Sequence, residues 1–241
     1  MPDTLPRRRR LPSALCLFAP RTGGVVVPLL ILLALAAFFL PFCGPRLDTD
    51  LARADYITQS GITSAQVPRN VTGCLDGYAG KTLVTYSGIV LGGGAEPSID
   101  ATLSPGCTGG SAPALPVSLG TFATMRIPWQ PSIVVAAVAL VVALITSVAF
   151  RRARRLAVGG LLAVAMVALL VGQGHIETLI IAAAGDNAAD AQATAYLSVE
   201  SGIGYVADLF LLTLALLYVA ALEVIRLRVS RFAVSQMGGA A

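Results

Sequence analysis

The sequence predicts an all-α transmembrane four-helix bundle with a small β-rich, disulfide-containing extracytoplasmic domain between helices 1 and 2. The composition is the first observation behind this prediction. The 241 residues are 56% hydrophobic and only 12% charged, with a mean hydropathy of +0.78, whereas roughly a quarter of the residues of a soluble domain are charged. Two further observations are four apolar runs long enough to cross hydrocarbon and the clustering of arginines beside those runs.

The second and third runs are predicted to form a helical hairpin. Residues 132–150 and 156–172 carry no charged side chain, and the connection at 151–155 holds four arginines, Arg151, Arg152, Arg154 and Arg155. Four arginines cannot remain in lipid, and the bias of basic residues toward cytoplasmic loops places this turn inside the cell. We expect these arginines to contact anionic lipid headgroups.

The first run is predicted to span the membrane at residues 25–43, after a basic cytoplasmic tail at residues 1–24. Pro28 falls in the first turn, where its missing N–H costs little. A cleaved signal peptide is the main alternative, but the run is long for one and the triplet Ala52-Arg53-Ala54 follows late. Residues 40–43 are similar to a lipoprotein box, although bulky Phe42 stands where a small residue is expected.

The fourth run, residues 203–225, brings the chain back to the cytoplasm. The tail at 226–241 carries Arg226, Arg228 and Arg231, and most of the seventeen basic residues lie in the three segments assigned inside. We therefore expect a multi-pass protein of the bacterial cytoplasmic membrane with both termini cytoplasmic. A single lysine among those basic residues, with abundant Ala, Gly and Val, is typical of a GC-rich, actinobacterial-like source.

Residues 44–131 are expected to form the extracytoplasmic β-rich domain. Three runs of β-favouring residues are separated by Gly- and Pro-containing turns, namely Thr82–Tyr86, Ile89–Leu91 and Leu115–Leu119. A short helix is expected at Asp48–Ser60. Trp129, beside Pro128 just before the second span, is expected to anchor the chain in the membrane interface.

Cys74 and Cys107 are predicted to form a disulfide in this domain. Both are placed outside, where thiols oxidise, and closing the loop between them would contribute about 3–4 kcal/mol. A bond from Cys43 to either partner is the alternative, and Cys16 is expected to stay reduced inside. Asn70-Val71-Thr72 fits a glycosylation sequon, but the bacterial-like composition favours a simple turn there.

The second external segment, residues 173–202, is acidic. It contains no Lys or Arg. Ile176–Ala184 is apolar enough either to prolong the third helix or to lie in the interface. Asp186–Leu197 is rich in alanine and is expected to be helical.

Asp208 is the main candidate for chemistry, because an ionisable group at membrane depth is costly and thus functional by default. A structural contact to Tyr205, to Ser or Thr on a neighbouring helix, or to His175 is one expectation. An ion or proton site formed with His175 and Glu177, near Asp186, is the other. Positions 175 and 177 do not share a helical face, so no metal site is predicted. Glu223 and Arg226 have the spacing of a helical ion pair.

Small residues are expected to bring the helices close together. Ala139, Ala143 and Ser147 recur every four residues on the second helix, as do Gly159 with Ala163, and Ala168 with Gly172, on the third. These rows serve either the bundle itself or docking onto another membrane protein.

The motifs of common enzyme classes are missing from the sequence: there is no CxxC, GxSxG or phosphate-binding loop. The four-span layout is similar to that of claudin-like proteins, but the Trp-rich signature and paired cysteines of their first loop are absent, so no residue roles follow. We expect a non-enzymatic accessory or assembly subunit of a larger envelope membrane complex, with lipid and other subunits as partners. Neither a cofactor nor nucleic acid is expected. The alternatives are a small transporter or membrane enzyme using Asp208, and a sensor for an envelope ligand.

Overall fold

The computed structural model describes residues 23–99, 127–149, 154–185 and 197–237. This part of the chain is mostly helical. Its helices are α1 Gly23–Ala37, α2 Thr49–Ser60, α3 Arg69–Tyr78, α4 Gly88–Gly93, α5 Pro131–Ala149, α6 Arg154–Gly185 and α7 Ile203–Met237, with a 3₁₀ turn at Ser64–Gln66. Its strands are β1 Pro41–Leu47, β2 Val84–Ser87, β3 Ser98–Ile99 and β4 Leu197–Ser201.

Three helices are long and apolar enough to cross a membrane. Their apolar segments are Pro131–Ala149, Leu156–Ala182 and Ile203–Arg228. These segments agree with the second, third and fourth predicted spans. The third continues as helix through Gly172 and Gly174, which is one of the two arrangements that the sequence left open.

The four helices α1, α5, α6 and α7 pack in a closed ring. Helix α1 contacts α7 and α5, and α6 contacts the same two helices from the other side. Each helix turns one stripe inward, and the stripe residues recur at intervals of three and four as an α-helix requires. The inward residues are Val27, Ile31 and Ala34 on α1, Ala136, Leu140 and Ala143 on α5, Leu162, Ala165 and Leu169 on α6, and Leu212, Ala215 and Val219 on α7.

The first apolar run is only partly helical. Helix α1 ends at Ala37, and Pro41, Phe42 and Cys43 belong to strand β1. The apolar part of α1, Val25–Ala37, is shorter than the three spanning segments. Pro41 explains this end, because a proline cannot donate the next helical hydrogen bond and it drives the preceding residue toward extended backbone. Uninterrupted hydrophobicity cannot by itself separate a buried helix from a buried strand.

Strand β1 is the centre of a small antiparallel sheet. It pairs with β2 on one side and with β4 on the other, and the two-residue β3 extends the β2 edge, giving the order β3-β2-β1-β4. Because β1 directly follows α1 and β4 directly precedes α7, the sheet continues the packing of these two helices beyond the apolar region. The sheet therefore joins the two segments that the sequence analysis treated as separate external loops.

The described part of residues 44–131 contains more helix than strand, which differs from the β-rich domain expected there. Helix α2 confirms the expectation for Asp48–Ser60, with the Asp48 carboxylate accepting from the N–H groups of Asp50 and Leu51 at 3.1 Å. The β expectation for Ile89–Leu91 is wrong, since these residues form α4. The turn expected at Asn70–Thr72 is also wrong, because these residues lie in the first turns of α3.

The local caps explain why α4 forms despite its β-favouring residues. The Ser87 hydroxyl accepts a hydrogen bond from the N–H of Val90 at 3.3 Å, which satisfies a donor at the start of the helix. Gly94 ends the helix in the left-handed conformation, with φ of 67°, which glycine adopts without steric cost. Capping at both ends thus outweighs the weak strand preference of Ile89 and Val90.

Candidate functional site

The candidate site lies between α1 and α7, where the two backbones come very close. A Cβ atom at Gly204 would lie 2.8 Å from the carbonyl oxygen of Ala37 and 2.9 Å from those of Leu40 and Pro41. Only glycine fits there without moving a backbone. Nearby, the N–H of Gly202 donates to the carbonyl oxygen of Phe42 at 2.6 Å. This close approach fixes the start of α7 against the end of α1.

Aromatic side chains surround the same junction. The rings of Phe42 and Tyr205 meet edge to face with centroids 6.0 Å apart, and Phe38 packs on Phe42 at 5.2 Å. Such arrangements are favourable for aromatic pairs. All three residues are buried, so this end of the α1–α7 interface is closed by a dense apolar and aromatic cluster.

Asp208 lies one helical turn after Gly204, on the inward stripe of α7 that continues to Leu212 and Ala215. Its exposed fraction is 0%. Among the residues that the structure describes, neither carboxylate oxygen has a hydrogen-bond partner. The contacts expected from Asp208 to Tyr205, to a neighbouring Ser or Thr, or to His175 are therefore not formed.

Gln130 and Ser147 are the other two buried polar side chains of the described ranges, and each donates a hydrogen bond, although the Oε1 atom of Gln130 has no partner there. The amide nitrogen of Gln130 donates to the carbonyl oxygen of Pro128 at 2.8 Å, and the Ser147 hydroxyl donates to that of Leu144 at 2.7 Å. Leaving a buried polar group unsatisfied costs about 1–3 kcal/mol, and more for a charged group. Helix α1, which faces this part of α7, contains only apolar residues, so it offers Asp208 no polar side chain.

His175 and Glu177 do not face inward with Asp208. Both side chains are exposed on α6, where the inward positions are Gly172, Ile176 and Ile180. The carbonyl oxygen of His175 accepts a hydrogen bond from the Thr178 hydroxyl at 2.7 Å. Asp186 lies outside the described residues. Within the described ranges no three His, Cys, Asp or Glu side chains come together as metal ligands would.

The small-residue rows divide between inward and outward faces. Ala139, Ala143 and Ser147 all lie on the inward stripe of α5, and a Cβ at Gly172 would come 2.7 Å from the Ser132 hydroxyl of α5. These residues let α5 and α6 pack closely. In contrast, Ala163 is exposed on α6.

Three ion pairs lie on the surface of the described part of the chain. Glu223 and Arg226 form the pair predicted from their spacing, at 3.4 Å. In the domain, Arg53 of α2 pairs with Asp76 of α3 at 2.9 Å, and Arg46 of β1 pairs with Glu200 of β4. Arg151 and Arg152 lie outside the described residues, as do the side chains of Arg154 and Arg155. Their predicted lipid contacts remain a prediction.

Cys43 is buried in β1 and is a free thiol, which differs from the alternative in which it bonds to another cysteine. Burial raises the pKa of this thiol to about 12. Burial, together with the neighbouring Cys43, also raises the pKa of Tyr86, which lies opposite it on β2. Cys107 and the side chain of Cys74 lie outside the described residues, so their disulfide remains a prediction.

The sequence identified Asp208 as a candidate functional residue but did not predict which parts of the chain surround it. The pairing of β1 with β4 and the contact of Gly204 with α1 join residues 150 or more positions apart, and no local pattern encodes such contacts. The sequence feature that could have indicated this close helix contact is the pair Gly202 and Gly204 at the start of an apolar run. Comparisons with protein families, with curated proteins and with solved structures find no match to this chain.

Proposed function

We propose that this chain is a four-span accessory or assembly subunit of a larger complex in a bacterial cytoplasmic membrane. In this proposal α1 crosses the membrane together with the three longer helices. Both termini and the Arg151–Arg155 turn lie in the cytoplasm, and the sheet with α2, α3 and α4 lies outside. A disulfide between Cys74 and Cys107 braces the outer domain.

The observation that carries this proposal is how little of each long helix is covered within the chain. Only 33%, 28% and 22% of the most apolar windows of α5, α6 and α7 are buried. Most of their surface therefore faces lipid or other proteins. A bundle this thin has little enclosed volume for a substrate path, whereas it has a large apolar surface for neighbouring subunits.

The outward face of α6 is the surface best suited to a neighbouring helix. Gly160 and Ala163 are exposed there, and a Cβ at Gly160 would meet no described atom within 4 Å. Glycine and alanine on an outward face let a second helix approach closely, because no side chain holds the backbones apart. Val164 and Val167 beside them supply apolar contact area.

The experiment is recovery of stoichiometric partners from native membranes after mild solubilisation, comparing the wild type with Gly160→Leu. A bulky side chain at this position should reduce partner recovery at least tenfold while leaving the chain folded, since no atom of the described residues occupies that space. Val138→Leu on the outward face of α5, where the side chain is 55% exposed, is the matched control. Purification of the wild type without any partner would refute the proposal.

Asp208 supports a second candidate function, proton or ion transfer in a small transporter or membrane enzyme. Its complete burial and lack of a partner in the described structure favour this alternative. Asp208→Asn preserves the shape of the side chain but cannot carry the charge. Loss of transport by reconstituted protein with unchanged folding and partner recovery would favour transfer over assembly.

A further inference from the structure

Helix α4 lies where the outer domain meets the spanning helices. The N–H of Ile89 donates to the carbonyl oxygen of Phe38, just beyond α1, at 3.2 Å. At the other end of α4, the carbonyl oxygen of Leu91 accepts from the N–H of Gln130, just before α5, at 2.9 Å. These two bonds place α4 at the level at which α1 ends and α5 begins.

The inner side of α4 is packed tightly against that end of the bundle. A Cβ at Gly88 would come 2.8 Å from the Phe38 ring, and one at Gly92 would lie 3.8 Å from the side chains of Ile133 and Val134. Leu91 is buried. Since both glycines face the spanning helices, α4 lies close against them.

The outer side of α4 exposes apolar surface. Its sequence, GIVLGG, contains no charged or hydrogen-bonding side chain. Ile89 is 47% exposed. This face of α4 therefore resembles the apolar helices below it and differs from a water-facing surface.

Three further large side chains are exposed at the same level, at the ends of three spanning helices. Phe39 follows α1, Trp129 precedes α5, and Ile203 begins α7, with exposed fractions of 72%, 60% and 69%. Trp129 is also adjacent to α4, because its backbone nitrogen would lie 3.4 Å from a Cβ at Gly94. We refer to α4 with Phe39, Trp129 and Ile203 as the apolar collar.

We propose that the apolar collar is a lipid-binding surface, with α4 lying in the interfacial layer of the membrane leaflet on the domain's side. The occupant is lipid and not a protein, because the collar lies at the ends of the spanning helices and includes a tryptophan of the kind that occupies this layer, whereas the contact proposed for a neighbouring subunit lies on α6. Ile89 enters the apolar edge of the leaflet. The collar thereby fixes how deep the bundle sits and how the domain is tilted on the membrane. This inference rests on the membrane placement of the helices and not on the proposed role as a subunit.

The test uses the fact that Trp129 is the single tryptophan of the chain. In purified protein reconstituted into phosphatidylcholine vesicles, Trp129 fluorescence should be quenched by lipids brominated near the headgroup. A second protein, with Trp129→Phe and Ile89→Trp, places the probe on α4. The tryptophan fluorescence of this second protein should be quenched at least twofold more by brominated lipid than by acrylamide, an aqueous quencher.

Leu51→Trp, also in the Trp129→Phe background, is the matched control. Leu51 is 52% exposed on α2, which follows β1 in the chain. At about 3.3 Å per residue, the end of β1 that leads to α2 lies roughly 20 Å from Pro41 at its other end. This probe should respond to acrylamide and not to brominated lipid. The proposal is overturned if the Ile89 and Leu51 probes respond alike to acrylamide. It is equally overturned if the Ile89 probe is shielded from both quenchers, which would indicate a protein cover. Circular dichroism verifies that each variant keeps its helix content.

Discussion

Replacing Gly204 by alanine tests the close contact between α1 and α7. The added Cβ would meet three backbone carbonyl oxygens, those of Ala37, Leu40 and Pro41, at 2.8–2.9 Å. Real Cβ atoms do not approach other atoms so closely, and backbone oxygens cannot rotate away as the end of a side chain can. The variant must therefore displace the start of α7 from the end of α1.

The expected cost follows from two opposing contributions. Overpacking a tight contact costs about 1–3 kcal/mol. Alanine is a better helix former than glycine by up to about 1 kcal/mol, but Gly204 is next to the first residue of α7, where the helix is least regular and the gain is smaller. We expect a net destabilisation of about 1–2 kcal/mol, which is roughly a 5- to 30-fold change in the folding equilibrium.

The assay is unfolding in mixed micelles by increasing dodecyl sulfate, followed by far-ultraviolet circular dichroism. Gly160→Ala on α6 is the matched control, because a Cβ there meets no described atom within 4 Å. This control should be neutral or stabilising by up to about 1 kcal/mol. If both variants shift the unfolding midpoint equally, or if Gly204→Ala is the more stable of the two, the close α1–α7 contact does not exist.

Three further predictions concern buried and paired polar groups. Asp208→Leu should raise the free energy of unfolding by about 1–3 kcal/mol in the same assay. The reason is that an apolar side chain replaces a buried carboxyl group that has no described partner. A loss of stability would instead indicate that Asp208 has a partner. A double-mutant cycle of Arg46→Ala and Glu200→Ala should give a coupling free energy of at most about 1 kcal/mol. Solvent screens this ion pair, since the two side chains are 37% and 52% exposed. A coupling free energy well above this value would contradict that screening. In a variant that keeps Cys43 as its single cysteine, maleimide labelling should stay slow from about pH 7 to 9. Burial raises the pKa of this thiol to about 12, so little of the reactive thiolate forms in that range. Labelling as fast as that of the unfolded chain would show that Cys43 is accessible.

The spanning helices could be predicted from the sequence because each is specified by local composition. Uncharged runs identified α5 and α6, and a short helix was expected at Asp48–Ser60, where α2 forms. The small-residue spacing of Ala139 and Ala143 correctly predicted close packing. These features depend only on residues that are close together in the chain, so they can be recognised directly in the sequence.

The sheet and the environment of Asp208 could not be predicted because they depend on contacts between distant parts of the chain. Strand β1 begins inside an apolar run that is also compatible with a helix, and its partner β4 occurs more than 150 residues later. The position of Asp208 on the fourth apolar run was evident from the sequence, but its complete burial without a described hydrogen-bond partner was not. His175 and Glu177 fall on outward positions of α6 because Ile176 and Ile180 take the inward ones.

The most direct test of the account is the sidedness of the Arg151–Arg155 turn relative to the sheet domain. In a cysteine-free background, one protein carries a single cysteine at position 153 and another carries Leu51→Cys on α2. Intact spheroplasts are treated with a membrane-impermeant maleimide before and after permeabilisation. The account predicts that Leu51→Cys reacts in intact spheroplasts and that Ala153→Cys reacts only after permeabilisation. Labelling of Ala153→Cys in intact spheroplasts would contradict the proposed topology and, with it, the proposed outer placement of the domain and the predicted disulfide between Cys74 and Cys107.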